Sequence, residues 1–194
     1  MLFSVRRISA KVLDRLLADP ALAARLTNSE DPEFGWSGDW PDSPVLELDK
    51  TWNALHYVLT GDPWEGTPPL AYVVLGGTSI GPDVGYGPAL YLTPKQTAET
   101  AAALRALDPS SLRPRVDFGK FESLELYPHM WREETAAAPA PNPGFFGRLR
   151  GKPGPVPPRP EEAFFLEVLG YTKQLMTFYG EAAREGDAAL KWIW

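Results

Sequence analysis

The sequence contains no cysteine and only two histidines, His56 and His129. The absence of thiols excludes disulfides, zinc–thiolate sites and a cysteine nucleophile, and it suits a reducing compartment. Neither histidine belongs to an HExxH motif or to a pair one helical turn apart, and no GxSxG motif occurs, so metal binding and serine catalysis have no sequence signal. We therefore expect no metal and no cofactor.

The sequence also lacks an apolar run long enough to cross a membrane. The longest such run, LAYVVLGG from Leu70 to Gly77, is far shorter than the ~20 residues that a transmembrane helix needs. The amino end continues into KVLDRLLAD, whose interspersed charges differ from the uninterrupted apolar region of a secretory signal. These features predict a soluble, cytoplasmic protein without a transmembrane segment.

Basic residues are fewer than acidic ones: the chain has 19 Lys and Arg against 25 Asp and Glu, which gives a formal net charge of −6. Sequence-independent binding to nucleic acid depends on clustered Lys and Arg side chains. We therefore expect no nucleic-acid partner. An acidic surface is instead suited to a basic protein partner.

Proline and tryptophan are abundant, with 21 and 7 residues in a chain of 194. Eight of the prolines fall in residues 134–160, a segment with a net charge of +3. Such a composition buries too little apolar surface to offset ordering, so we predict a surface loop inserted into a single domain that spans residues 1–194. Within this segment, Phe145 and Phe146 stand beside basic residues. They are candidates for peripheral contact with a membrane or an acidic partner, although the sequence favours a loop insertion without a binding role.

The chain is predicted to be organised around LELDKTWNALHYVLTG, residues 46–61. Asp49 is suited to cap the start of a helix, and Gly61 to close it. Between them, Trp52, Leu55, His56 and Leu59 recur at steps of three and four and so share one helical face. We expect this face to be buried.

The remaining elements follow from capping residues, apolar runs and turn formers. We predict strands at residues 2–8, 70–75, 89–92 and 189–194, and helices after Ser9, at 21–26, after Thr93 and at 161–184. The glycine-rich segment 76–87 is predicted to be a turn-rich crossover, because it lacks the Lys-Ser/Thr of a phosphate loop. Together these elements predict an α+β domain with a mixed or antiparallel sheet, several helices, and a long last helix followed by a terminal strand.

Seven side chains are candidates for a binding site because aromatic and imidazole groups dominate recognition surfaces. They are Trp36, Trp40, Trp52, His56, Tyr86, Tyr127 and His129. Trp36 and Trp40 lie in a loop predicted at residues 27–43, where they stack on a ligand or pin the loop to the core.

His56 has two interpretations. It is a hydrogen-bonded core residue, or it is a general acid or base in a hydrolase-like pocket with Asp83 or Tyr86. The first interpretation favours a non-catalytic protein-binding module, such as an immunity protein or an antitoxin that neutralises a basic partner. The second favours an enzyme that binds a small molecule near His56.

Four segments of the chain resemble the YfbM-like family, a domain of unknown function (DUF1877). They are LDKTWNALHYVLTG (48–61), GYGPALYLTP (85–94), YPHMW (127–131) and EAAREGDAAL (181–190). The resemblance spans most of the chain and implies a single α+β domain, bacterial and soluble, with no catalytic residues to carry over. The amino end, MLFSVRRIS, and the proline-rich insertion depart from the family pattern.

Overall fold

The fold is a single antiparallel sheet covered by helices on both faces. A computed structural model describes residues 1–27, 45–131 and 159–194. The strands of these residues have the order β2-β1-β5-β4-β3 and are β1 (Phe3–Ile8), β2 (Leu46–Leu48), β3 (Thr78–Asp83), β4 (Pro88–Leu92) and β5 (Ala188–Ile193). The α-helices are α1 (Ala10–Ala18), α2 (Leu22–Thr27), α3 (Trp52–Thr60), α4 (Pro94–Ala106), α5 (Phe118–Ser123) and α6 (Pro160–Glu185), and 3-10 helices cover Leu70–Val73 and Pro109–Arg115. The predicted α+β class, long last helix and terminal strand are confirmed.

Capping residues set several helix ends as the sequence predicts. The Ser9 hydroxyl accepts a hydrogen bond from the Val12 N–H at the start of α1. At the start of α4, Thr93 and Gln96 form a reciprocal capping box, which satisfies N–H groups that have no partner inside the helix. Gly61 and Gly186 end α3 and α6 in the left-handed conformation that glycine adopts at little cost.

The two faces of the sheet bury separate hydrophobic clusters. Helices α1 and α2 cover one face, where Leu190 and Trp192 of β5 pack against Leu13 and Leu16. The larger cluster on the other face includes Phe3, α3, α4, α5 and α6. Because side chains alternate along a strand, Lys191 of β5 projects into this larger cluster and is fully buried.

The start of the central helix α3 differs from the prediction. Thr51, not Asp49, occupies the position before the helix and makes no side-chain cap. The Asp49 carboxylate instead accepts a hydrogen bond from the N–H of the adjacent Lys50, 2.7 Å away. The chain turns at residues 50 and 51, so the helix begins too late for the Asp49 side chain to reach its free N–H groups.

The apolar segment 70–75 is not a strand, and this prediction was wrong. Residues Leu70–Val73 form a 3-10 helix. An apolar run without alternation is compatible with any fully buried element, and buried side chains rather than a neighbouring strand satisfy this segment's carbonyls. The Tyr179 hydroxyl donates to the carbonyl of Val73 at 2.9 Å, and Lys191 Nζ donates to that of Tyr72 at 2.6 Å.

The glycine-rich segment 76–87 is also more regular than predicted. Half of it, Thr78–Asp83, forms strand β3, which pairs antiparallel with β4 in a hairpin. Gly77 and Gly81 have positive φ angles of 138° and 78°, which lets β3 bend while it pairs. The segment is therefore part of the sheet and not a crossover.

Several predicted features lie outside the described residues, namely Trp36, Trp40, Phe145, Phe146 and nearly all of the insertion at 134–160. Within residues 1–27, 45–131 and 159–194, no helix combines the length and apolar character that crossing a bilayer demands.

Candidate functional site

Helix α3 buries the face that its periodicity predicts. Trp52, Leu55, His56 and Leu59 are all at most 3% exposed. His56 Nε2 lies 3.1 Å from the carbonyl oxygen of Glu65, while Nδ1 is buried and has no partner among the described residues. Burial lowers the pKa of His56 to about 4, so the imidazole is neutral at pH 7.

A pocket of about 380 Å³ opens beside α3, and we call it the aromatic pocket. This volume lies within the range of ~300–1,000 Å³ that is typical of ligand sites. The residues that characterise its lining are Trp52, Trp64, Tyr86, Glu125, Tyr127 and His129. His56 does not line it.

The two exposed aromatic residues of the aromatic pocket, Trp64 and Tyr86, each lie in a turn that an aspartate side chain stabilises. The Asp62 carboxylate accepts hydrogen bonds from the N–H groups of Trp64 and Glu65 at 2.9 and 2.8 Å, which hold the pKa of Asp62 below its ordinary value. The Trp64 side chain is 57% exposed at the tip of this turn. Large aromatic side chains this exposed mark recognition surfaces when they cluster at one pocket.

The Tyr86 turn is built in the same way. The Asp83 carboxylate accepts hydrogen bonds from Gly85 and Gly87 at 2.8 and 3.2 Å, and Tyr86, 64% exposed, stands between them. Gly85 has a φ of 151°, and a Cβ there would lie 2.7 Å from the carbonyl oxygen of Ile193. Only glycine brings the hairpin this close to β5, which places Tyr86 against the aromatic pocket.

The rings of Trp52, Tyr127 and His129 contact one another along one side of the aromatic pocket. Trp52 and Tyr127 are stacked, with ring centroids 6.0 Å apart and an interplanar angle of 27°. His129 meets Tyr127 edge-on at 6.2 Å. The amino group of Met1 donates a hydrogen bond to the Tyr127 hydroxyl at 3.1 Å. The buried indole N–H of Trp52 has no partner among the described residues.

Two residues of the aromatic pocket have strained backbones. Glu125 and His129, with φ angles of 52° and 64°, are the described non-glycine residues with positive φ. Left-handed conformations are unfavourable for residues with a Cβ and persist where the surroundings require them, often at functional sites. Both residues are exposed, so burial of their side chains does not account for the strain.

Buried polar side chains of α3 hold the pocket walls in place. Asn53 is fully buried, donates to the Pro63 carbonyl at 2.7 Å and accepts from the Tyr127 N–H at 2.9 Å. His56 bonds the same loop at Glu65. Together, these two residues fasten the Trp64 turn and the Tyr127 segment to one rigid helix.

The aromatic pocket combines π faces with one carboxylate and one amino group. Its charged groups are Glu125 and the Met1 amino group, and the amino group is hydrogen-bonded to Tyr127. In the described part of the chain, no cluster of three or more His, Asp or Glu side chains could hold a metal ion. Aromatic faces with a nearby carboxylate are suited to cations.

The structure therefore brings four of the predicted binding residues together, Trp52, Tyr86, Tyr127 and His129. His56 is buried beside the aromatic pocket rather than within it, and Asp83 bonds within its own turn rather than to His56. Sequence reasoning missed Asn53, Trp64 and Glu125. The pattern Asp62-Pro63-Trp64 was a usable signal for a turn at Trp64, because an aspartate side chain commonly accepts a hydrogen bond from the backbone N–H two residues on.

Comparisons with known proteins agree with this fold. Residues 1–140 match the family model described as "Domain of unknown function (DUF1877)". No curated protein matches the chain. A solved structure, the protein of unknown function YfbM from Escherichia coli, superposes with a TM-score of 0.63 and 22% identity over 98% of each chain, and this similarity shows a common fold. The chain therefore belongs to the DUF1877 family of domains of unknown function.

Proposed function

We propose that this protein is a non-catalytic binding module whose aromatic pocket accepts a Lys or Arg side chain of a basic protein partner. The observation that carries the proposal is the convergence of exposed Trp64 and Tyr86 with strained Glu125 and His129 on one pocket. Three separate segments supply these groups. None of them is needed there to fill the core, because all four side chains are exposed.

Charge favours a basic partner over an acidic one. The whole chain has a formal net charge of −6, and Asp62, Asp83 and Glu125 all lie at or beside the aromatic pocket. A guanidinium or ammonium group stacks on Trp and Tyr faces with ~0.5–2 kcal/mol of attraction. A protein that neutralises a basic partner, as an immunity protein or antitoxin does, is a role of this kind, and we infer that it acts in a bacterial cytoplasm.

The alternative, an enzyme that uses His56, has weaker support. A general acid or base needs access to its target and a pKa near the working pH. His56 is fully buried, its Nε2 is engaged by the Glu65 carbonyl, and its pKa of about 4 lies far below neutrality. These properties favour a structural role, in which His56 positions the loop that carries Trp64.

The proposal is tested with a capped pentapeptide that has a central arginine between glycines, titrated into ¹⁵N-labelled protein. We expect the indole N–H signals of Trp52 and Trp64 and the backbone signals of Glu125 and His129 to shift. The same peptide with a central glutamate should produce no such shifts. Equal responses to both peptides, or shifts confined to other surfaces, would refute the proposal.

Substitution of Trp64 tests whether the arginine peptide binds at the aromatic pocket or elsewhere on the surface. Trp64→Ala should weaken binding of the arginine peptide by roughly 2- to 30-fold, the range expected for one cation–π contact. Leu166→Ala is the matched control, because Leu166 is equally exposed at 56% but lies on α6 and does not line the aromatic pocket. Its affinity should equal that of the unmodified protein.

A further inference from the structure

A second pocket adjoins the aromatic pocket, and we call it the Glu167 pocket. It has a volume of about 380 Å³, the same as the aromatic pocket, and this value also lies within the range of ~300–1,000 Å³ that is typical of ligand sites. The residues that characterise its lining are Thr51, Pro128, Met130, Trp131, Phe164 and Glu167. The Glu167 pocket is therefore large enough to hold one long side chain of a partner.

The segment 127–131 forms a wall that the two pockets share. Tyr127 and His129 line the aromatic pocket, whereas Pro128 and Met130 line the Glu167 pocket. Neighbouring residues of one short segment thus serve opposite pockets. A partner chain that fills one pocket reaches the other within a few residues, since an extended chain advances ~3.3 Å per residue.

The Glu167 pocket combines apolar walls with one carboxylate. Its walls include Phe164 and Met130, and Met130 is 49% exposed. The Trp131 indole N–H donates to the carbonyl of Leu126 at 2.8 Å, so it is not available to an anionic ligand. Lys and Arg side chains pack their aliphatic stems on apolar surfaces and keep their charged heads at polar groups. The walls and carboxylate of this pocket fit such a side chain.

The carboxylate of Glu167 is oriented but has no cationic partner among the described residues. The Thr51 hydroxyl donates to its Oε1 at 2.9 Å. The ion pairs of the described residues involve other carboxylates and include neither Glu167 nor Glu125 of the aromatic pocket. Each pocket therefore has one carboxylate that can form a charge-assisted hydrogen bond with a Lys or Arg head group.

We propose that the Glu167 pocket accepts a second Lys or Arg side chain of the partner, so that this protein recognises a pair of basic residues in one segment. This inference rests on the proposed function, because the first basic side chain occupies the aromatic pocket. It narrows the partner to a protein with an exposed segment that has two basic residues a few positions apart. The first contact holds the second side chain at a high effective concentration, which strengthens binding without further contacts.

The experiment titrates the ¹⁵N-labelled full-length chain with capped peptides that have two arginines separated by one, two or three glycines. The one-arginine pentapeptide is titrated in parallel. We expect the tightest two-arginine peptide to bind roughly 5-fold or more tightly than the one-arginine peptide. It should shift the indole N–H signals of both Trp64 and Trp131, which report the aromatic pocket and the Glu167 pocket.

Substitution of Glu167 tests whether its charge supplies the gain. Glu167→Gln keeps an oxygen that accepts from the Thr51 hydroxyl but removes the negative charge. It should bring the affinity of the two-arginine peptide close to that of the one-arginine peptide, whose own affinity at the Trp64 signal should not change. Glu185→Gln is the matched control, because Glu185 lies at the other end of α6 with its side chain 52% exposed. It should alter neither affinity.

The two peptides distinguish failure of this inference from failure of the proposed function. A gain of no more than about 2-fold at every spacing is the statistical effect of a second identical group, and it would overturn this inference alone. A gain that persists in Glu167→Gln, or a Trp131 signal that does not respond, would do the same. Absence of binding by both kinds of peptide would overturn the proposed function and this inference together.

Discussion

At the residue scale, the two histidines of the chain play different parts. His56 is fully buried and hydrogen-bonded to the Glu65 carbonyl, whereas His129 is exposed and strained at the edge of the aromatic pocket. A histidine with a lowered pKa is neutral inside the fold, but in the unfolded chain it can take up a proton. Acid should therefore favour unfolding through His56.

The pH dependence of stability tests the buried state of His56. Its pKa is about 4 when folded and about 6.5 when unfolded, so its contribution to stability is complete above pH 6.5 and is lost as the pH falls towards 4. The loss amounts to about 3 kcal/mol, at 1.36 kcal/mol per pKa unit. Urea unfolding at pH 7 and pH 4 should show this extra loss in the unmodified protein and not in His56→Gln. Parallel pH profiles would mean that His56 is solvated.

Substitution of Glu125 tests whether its strained backbone conformation is retained because the residue contributes to partner binding. Glycine adopts the φ of 52° seen at Glu125 without a Cβ clash, so Glu125→Gly should raise the free energy of unfolding by up to about 1 kcal/mol. It should at the same time weaken binding of the arginine peptide, because the carboxylate of the aromatic pocket is lost. The measurements are urea unfolding and peptide titration on the same sample.

The matched control for Glu125→Gly is Glu122→Gly, three residues earlier within helix α5. There the backbone is helical, so glycine should destabilise the protein by roughly 0.5–1 kcal/mol. If both substitutions destabilised the protein alike, the left-handed backbone at Glu125 would carry no strain.

At the element scale, helix α3 acts as the support of the aromatic pocket. Its apolar residues anchor it in the larger cluster, while Asn53 and His56 reach the two segments that form the pocket walls. The loops on either side thus take their positions from one helix. This arrangement links the stability of α3 directly to the geometry of the site.

Removal of the Asn53 side chain should disturb both walls together. Asn53→Ala leaves the Pro63 carbonyl and the Tyr127 N–H without their partners. Each unsatisfied buried group costs ~1–3 kcal/mol, so we expect a loss of about 2–6 kcal/mol in urea unfolding. Thr51→Ala, which removes an exposed hydrogen bond to Glu167, should cost less than ~1 kcal/mol. A comparable small effect of both variants would show that Asn53 does not link the walls.

Local signals predicted the helices and the inner strands β1, β4 and β5 better than the edge strand β3 and the apolar segment before it. Thr93, Gln96 and Gly61 act through neighbours in sequence, so their effects can be read from the chain. Residues 70–75 are apolar throughout, and their conformation depends on hydrogen bonds from the distant Tyr179 and Lys191. No local pattern reveals such partners, which is why this segment was predicted as a strand.

At the scale of the whole molecule, the candidate site was predictable only in part. Trp52, Tyr86, Tyr127 and His129 were recognised as residue types suited to binding, but their meeting at one pocket depends on the sheet and hairpin geometry. Glu125 and Asn53 were missed because their significance lies in a backbone angle and in contacts across 74 positions. Family membership supplies the fold and no activity.

The most direct test of this account is the affinity of the double variant Trp64→Ala, Tyr86→Ala for the arginine peptide. Both rings are more than half exposed, so their removal should leave the melting temperature nearly unchanged. Two cation–π contacts of ~0.5–2 kcal/mol each predict a loss of affinity of roughly 5-fold or more relative to the unmodified protein. Unchanged affinity in a folded double variant would contradict the claim that the aromatic pocket is where this protein binds its partner.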